Sequence, residues 1–474
     1  MIEGLKPYPA MKDSGVPWLG AVPEHWGARR LKYLLRERDI RSAEGTEQLL
    51  RVSQFTGVTE RKRADEGDEP DTRAESLVGY KRVEPNDLVV NIMLAWNGSM
   101  GVSSFDGIAS PAYCVYRFGV SARPWYFHNL LRSPAYKARI KAMSTGVVES
   151  RLRLYTDDLY RLEALLPPLP EQAAIVRYLE HADRRIRRYI RAKQKLIKLL
   201  EEQKQAIILR AVTRGLDPDV RLQSSGVEWL GDVPEHWEIK RVKQAAKIVR
   251  GKFTHRPRND PALYDGAYPF IQTGEVARAE KEITQYRQTL NARGLAVSKM
   301  FPSGTLVMTI AANIGDVALL EFEACFPDSI VGFIPRPGVV RDFLYYLFRA
   351  MRVELLREAP VNTQGNLNVD RIGSRAIALP PASEQNSIAL TIEADTARLI
   401  DGTKQARHEI ELLHEYRTRL IADVVTGKLD VREIAAQLPD EDQELSLIEE
   451  FDEISEPEED DPDSFDQGTE DSEP

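Results

Sequence analysis

Cysteine is almost missing: Cys114 and Cys325 are the two in 474 residues. Two thiols cannot build a disulfide framework or a cysteine zinc site, and each sits among apolar neighbours, where a reduced core thiol is expected. Runs of about 18 apolar residues are also missing, so no membrane-spanning helix is expected. The opening Met1-Ile2-Glu3-Gly4-Leu5-Lys6 has neither the basic stretch nor the apolar run of a secretory leader, which makes the cytoplasm the expected compartment. Catalytic signatures are missing too. There is no glycine-rich loop closing on Gly-Lys-Ser/Thr, no His-Glu-x-x-His, no Cys/His cluster at metal spacing and no Gly-x-Ser-x-Gly. No glycine-rich turn opens a βαβ unit, so a nucleotide or methyl-donor fold is unsupported. The Asn/Asp-Pro-Pro-aromatic tetrad of amino-group DNA methylation does not occur; the pairs Pro167-Pro168 and Pro380-Pro381 follow leucines. These absences point to a binding protein.

Basic residues are missing from one place only. From Pro439 to Pro474 there are 18 acidic residues and no Lys or Arg, which leaves 64 basic against 55 acidic side chains over 1–438. The overall charge of -9 therefore hides a body of +9 and an acidic tail. The tail is poor in large apolar residues and is expected to stay disordered, either as a solubilising segment or as a competitor of DNA phosphates for the basic body. At about 150 residues per domain the length suggests two to four domains.

What is present is a repeat. Ser14–Trp26 (SGVPWLGAVPEHW) returns as Ser225–Trp237 (SGVEWLGDVPEHW), with 11 of 13 positions identical. A second landmark recurs at nearly the same offset: Pro167-Pro168-Leu169-Pro170-Glu171-Gln172 and Pro380-Pro381-Ala382-Ser383-Glu384-Gln385. Each is followed by a long proline-free stretch, ending at Val212-Thr213-Arg214-Gly215 and at Val425-Thr426-Gly427. Between the landmarks, Pro85-Asn86-Asp87 and Pro302-Ser303-Gly304 are turns feeding β-branched strands. The rest of the two halves diverges. His25 and His236, inside the repeated box, read as packed, hydrogen-bonded histidines in tight turns rather than as general bases.

The proline-free stretches have helical periodicity. From about Glu171 to Thr213 a heptad runs Ile175, Leu179, Ala182, Ile186, Tyr189, Lys193, Leu196, Leu200, Gln203, Ile207. From about Glu384 to Val425 it runs Ile388, Ile392, Leu399, Ala406, Leu413, Tyr416, Leu420, with Asp395, Gly402 and Glu409 also on the seam. About 40 residues make a rod of roughly 60 Å, which needs an apolar partner. The repeat supplies one. The expected fold is α+β: two globular domains separated and joined by two long antiparallel coiled-coil helices, in a pseudo-two-fold repeat. The helices serve as a spacer or also dock partners, and the run Arg184, Arg185, Arg187, Arg188, Arg191, Lys193 suits partner or phosphate contact.

On these residues the chain resembles the specificity subunit of type I restriction-modification systems. The resemblance runs from Ser14 to about Val431 and includes Asn362-Thr363-Gln364-Gly365-Asn366-Leu367-Asn368 ahead of the second long stretch; Ser144–Leu152 departs from that pattern in the first half. It implies a box at 1–26, a target-recognition domain at 27–166, a spacer helix at 167–217, a box and linker at 218–237, a second recognition domain at 238–379 and a second helix at 380–431; the acidic tail, placed at 432–474 by composition, is not part of the resemblance. It also implies that each recognition domain reads half of a split double-stranded DNA site and that the helices set the gap. Two modification subunits would dock and methylate adenine, and restriction (translocase) subunits would join them. S-adenosylmethionine, ATP and magnesium would then belong to those partners, with no cofactor, metal or catalysis in this chain and no membrane partner.

Such a reader needs phosphate anchors and base-edge contacts. The anchoring candidates are Arg61, Lys62, Arg63, Lys81 and Arg82 in the first domain, and Arg250, Lys252, His255, Arg256 and Arg258 in the second. Asn97, Asn313, Asn362, Gln364 and Asn366 carry the amide geometry that suits adenine edges. The plain alternative for each is a solvated charge or a turn-forming amide. Two other functions compete: a structural adaptor that recruits proteins through its helices, and a stand-alone nuclease or methyltransferase with an unfamiliar site.

Overall fold

The structure, a computed structural model, describes residues 5–61, 76–148, 151–311, 314–357 and 368–439. By contacts the chain divides into two units, Met1–Ile190 with Glu411–Pro474, and Arg191–Ile410.

In the first unit the repeated box is a small hairpin, Met11–Asp13 on Ala21–Pro23. The chain leaving it, Gly27–Arg30, pairs antiparallel with Glu163–Leu166, the last strand before the first long helix. The globular domain between box and helix is thus closed at its neck by one two-stranded ladder. Its centre is an antiparallel sheet in the order Leu35–Arg38, Tyr113–Phe118, Leu88–Asn91, Met100–Val102. All four side chains of Leu88–Asn91 are buried: three are apolar, and Asn91 Oδ1 accepts from the Met93 N–H at 3.2 Å. Helices Pro124–Leu131 and Pro134–Met143 each begin on a proline, whose missing N–H costs nothing there. They bury Tyr126, Phe127, Leu130, Leu131, Tyr136 and Ile140 in a core shared with Trp26 and Tyr178.

The second unit repeats this frame. Leu222–Ser224 pairs with Asp232–Pro234, and the neck ladder is Glu238–Arg241 on Ala376–Leu379. Its main sheet runs Ala246–Arg250, Ile330–Pro335, Leu306–Thr309, Val317–Leu320, Glu282–Ile283, with the last pair parallel. Asn86 at φ 71 and Gly304 at φ 77 occupy the same left-handed turn before the buried strands Leu88–Asn91 and Leu306–Thr309. Asn and Gly tolerate that conformation best. One helix, Arg341–Arg357, replaces the two of the first unit and buries Phe343, Leu344, Leu347, Phe348 and Met351. A second sheet, Gln288–Leu290, Tyr264–Phe270, Ala324–Cys325, Met300–Phe301, closes a small core of Phe253, Leu263, Phe270, Leu290 and Cys325. Cys114 and Cys325 are free thiols, and burial pushes both up.

The long helices run Leu169–Arg214 and Ala382–Val425. They pair antiparallel within each unit: Arg417 Nε meets Asp183 Oδ1 at 2.5 Å in the first, and Lys193 Nζ meets Glu409 Oε2 at 2.5 Å in the second. The strict heptad register is corrected over their middle. Tyr189 and Leu196 are 55% and 40% exposed, while Ile186, Ile190, Ile208 and Ala211 are buried. A straight helix drifts about 20° per heptad, so over nearly five heptads from Ile175 the buried stripe moves about 100°, or one residue. On the second helix Asp395 is exposed and Thr396 takes its place. The buried hydroxyls of Thr396 and Thr403 donate to the carbonyls of Ile392 and Leu399 at 2.7 and 2.9 Å, so neither is left unsatisfied.

The boundary of the acidic tail also moves. Residues 432–437 are not part of a disordered segment: Arg432–Gln437 is a helix whose Ala435 is buried beside Val431 in the core of the first unit. Arg432 is held by a two-pronged pair to Asp430, and its guanidinium lies 5.2 Å from the Tyr8 ring centre. The strongly acidic stretch from 440 lies outside the described residues.

Candidate nucleic-acid interface

The two sequence landmarks meet in space. Glu171, 5% exposed, accepts from Tyr8 Oη at 2.5 Å and Trp26 Nε1 at 3.0 Å on one oxygen, and meets His25 Nε2 at 2.7 Å on the other. Glu384 repeats the arrangement with Trp237 Nε1 at 3.0 Å and His236 Nε2 at 2.8 Å. The neighbouring glutamines match as well. Gln172 donates to the Pro167 carbonyl at 2.8 Å and accepts from the Arg123 N–H at 2.8 Å; Gln385 donates to Pro380 at 2.7 Å and accepts from Val340 at 2.8 Å. Each box thus ties a helix start to the globular domain before it, and His25 and His236 are structural. Each box also receives the end of the other long helix. Gly427 lies so close to Pro23 and Trp26 that a Cβ would collide, and Gly215 stands over Trp237 and Glu384. Both glycines hold left-handed φ, 76° and 73°, ending their helices there.

The second-unit candidates gather on one loop. Gly251 lies against the backbone of Phe326 and Pro327, leaving no room for a Cβ, and its N–H reaches the Ile330 carbonyl at 2.8 Å. Arg256 donates Nη1 to the carbonyls of Phe253 and His255 at 2.9 and 2.8 Å, so part of its fork is spent on folding the loop. His255 Nε2 meets Asp260 at 3.0 Å. Arg250 donates Nε to the Asp328 carbonyl at 2.7 Å, and Arg258 donates Nη2 to the Asp328 carboxylate at 2.6 Å. Lys252 is exposed. The structure therefore brings three of the five, Arg250, Arg256 and Arg258, to Asp328, an acid 70 positions from Arg258 that no motif singles out.

The first-unit candidates are scattered, and two need correction. Lys81 is 6% exposed, with its ammonium 3.8 Å from Glu37 and 3.7 Å from Asp39, so its place is inside the fold and not on a phosphate. Asn97 spends its side-chain oxygen on the turn, accepting from the Ser99 N–H at 3.1 Å and hydroxyl at 2.8 Å. Arg82 is half-exposed between Glu47 and Asp106. Arg61 extends the hairpin Leu50–Ser53 and Gly57–Glu60. Lys62, Arg63, Asn313, Asn362, Gln364 and Asn366 lie outside the described residues. Sequence reading missed how that hairpin is held. Arg132, deep in the first unit, donates to four carbonyls at its tip and on the neighbouring strand, those of Ser53, Gln54, Phe55 and Met100, at 2.6–3.4 Å. Phe55 is left 64% exposed. An arginine in the turn between two helices gives no sequence sign of such a task.

Among the described residues no group of His, Cys, Asp and Glu is placed to hold a metal ion, and no helix is long and apolar enough to cross a membrane.

Residues 234–412 match the type I restriction modification DNA specificity domain. Among curated proteins, the type I restriction enzyme MjaIX specificity subunit of Methanocaldococcus jannaschii is 26% identical over 192 residues, 38% of this chain and 43% of that protein. That match spans less than half of the relative's own length. The putative MjaX specificity subunit of the same organism is 24% identical over 316 residues, 65% of this chain and 69% of that protein. A solved chain from work on complex assembly and conformational transition of the type I R-M system superposes with a TM-score of 0.62 at 18% identity, covering 85% of this chain and 98% of its own length, which establishes the shared fold. Box, helix starts, matched domain and fold all liken the chain to the specificity subunits of type I restriction-modification systems.

Proposed function

We propose that this chain reads a split double-stranded DNA site, one half with each recognition domain, and carries no catalysis of its own. One observation supports this above others: the frame residues His, Trp, Glu and Gln are built twice with the same bonds, while the surfaces they hold differ. A duplicated frame with divergent faces is what reading two unlike half-sites requires. The basic loop 250–258 supplies charge for phosphates and guanidinium groups for base edges. In the cytoplasm the frame would dock two modification subunits that methylate adenine, and restriction subunits would join them. S-adenosylmethionine, ATP and magnesium would act on those partners.

The test exchanges residues 238–378 with the matching segment of another specificity subunit. Both joins fall in the neck ladder Glu238–Arg241 on Ala376–Leu379, so the graft keeps its own closure. The methylated sequence should change in one half-site and not in the other. A change in both halves would contradict modular reading. Binding that is absent or insensitive to salt, with modification subunits present, would favour a protein adaptor, because phosphate contacts weaken steeply as salt rises.

A further inference from the structure

We propose that Asp328 is a positioning residue for base reading by the second unit: it grips one edge of the Arg258 guanidinium and leaves the other edge to meet a base. This rests on the DNA-reading assignment above. Arg258 Nη2 donates to Asp328 Oδ1 at 2.6 Å, and among the described residues its Nη1 and Nε have no hydrogen-bond partner. A guanidinium has five N–H donors in one plane, so one edge can be anchored while another pairs with the O6 and N7 of guanine.

Both partners are fixed at the backbone. The Tyr264 hydroxyl donates to the Arg258 carbonyl. On the other side, Arg250 Nε donates to the Asp328 carbonyl at 2.7 Å, and Lys252 N–H reaches Phe326 O at 3.0 Å. The side chains nevertheless stay 47% and 39% exposed. An ion pair this exposed adds little stability. On a surface meant for phosphates an acid is also unfavourable by simple Coulomb repulsion. What the acid supplies is geometry: it removes rotamer freedom that Arg258 would otherwise lose on binding.

The experiment assembles the full chain with its modification subunits and selects from a pool of randomised duplexes. Wild type is compared with Asp328→Asn, Asp328→Glu, Arg258→Ala and the double variant Asp328→Asn/Arg258→Ala. Asp328→Asn and Arg258→Ala should each lose about tenfold discrimination at the same base positions of one half-site. The double variant should lose no more than either, and Asp328→Glu should restore most of the preference. Affinity for an unrelated duplex should hold or rise in Asp328→Asn, since a negative charge is gone. A retained preference in Asp328→Asn, when wild type selects a split motif, overturns this proposal alone. So does a uniform weakening on every sequence with a lowered melting temperature, which marks a structural role. A wild-type pool with no motif overturns DNA reading itself, and this proposal with it.

Discussion

Glu171 and Glu384 hold the same place in the frame but differ in burial. Glu171 is 5% exposed and serves three donors, whereas the Glu384 side chain is 28% exposed and serves two. Removing a buried acceptor strands its donors, so Glu171→Ala should cost about 2–4 kcal/mol and Glu384→Ala about 1 kcal/mol. Hydrogen exchange of amides in each unit reads the two separately; equal losses would contradict the asymmetry. His128 sets a pH dependence. Desolvation, with Arg132 beside it, lowers it from 6.5 to about 3, and the Val102 N–H donates to its Nδ1 at 3.1 Å, which requires the neutral ring. The unfolded chain therefore binds the extra proton between these values, and stability rises with pH across that window. The ring is only half-buried at its surface, so screening trims the effect, and a loss of about 1 kcal/mol from pH 7 to pH 5 is expected in the first unit. His128→Gln should flatten that slope in melting curves.

At the scale of elements, the two long helices were legible in their limits but not in their faces. The prolines ahead of Glu171 and Glu384 and the glycines Gly215 and Gly427 mark their ends. A heptad counted from Ile175 selects Tyr189, yet Ile190 is the buried residue, at 8% exposure. Ile190→Ala should therefore cost about 2–3 kcal/mol and Tyr189→Ala under about 0.5 kcal/mol, measured from denaturant midpoints. The reverse order would restore the strict heptad. The recognition-domain loops were less legible still. Arg250 to Arg258 stand out as basic, but a basic loop looks alike whether its charges serve DNA or the fold. The bonds of Arg256 to Phe253 and His255, and the burial of Lys81, separate the two uses.

For the whole molecule, the chain order hides how each box is completed. In the second unit the helix end at Gly215 leads directly into the box it packs on. In the first unit the matching contact joins Gly427 to Pro23 and Trp26 across the length of the chain, with the Asp430 N–H on the Lys6 carbonyl at 2.8 Å. Both long helices run through both units, so on the proposed function their length sets the gap between half-sites. Adding one heptad near Leu196 should lengthen the gap in the methylated motif or abolish methylation; an unchanged gap with full activity would remove the ruler role.

The sequence alone determined the duplication, the helix limits, the basic body and the absence of known catalytic signatures. These are written in local order, in identities at fixed offsets and in proline and glycine, whose backbone constraints act without neighbours. Tertiary structure decided what Glu171, Asp328 and Arg132 do, and which basic groups face outward. Each of those roles is a meeting of side chains distant in sequence, at hydrogen-bond range, where burial and partner geometry, not residue type, set the energy.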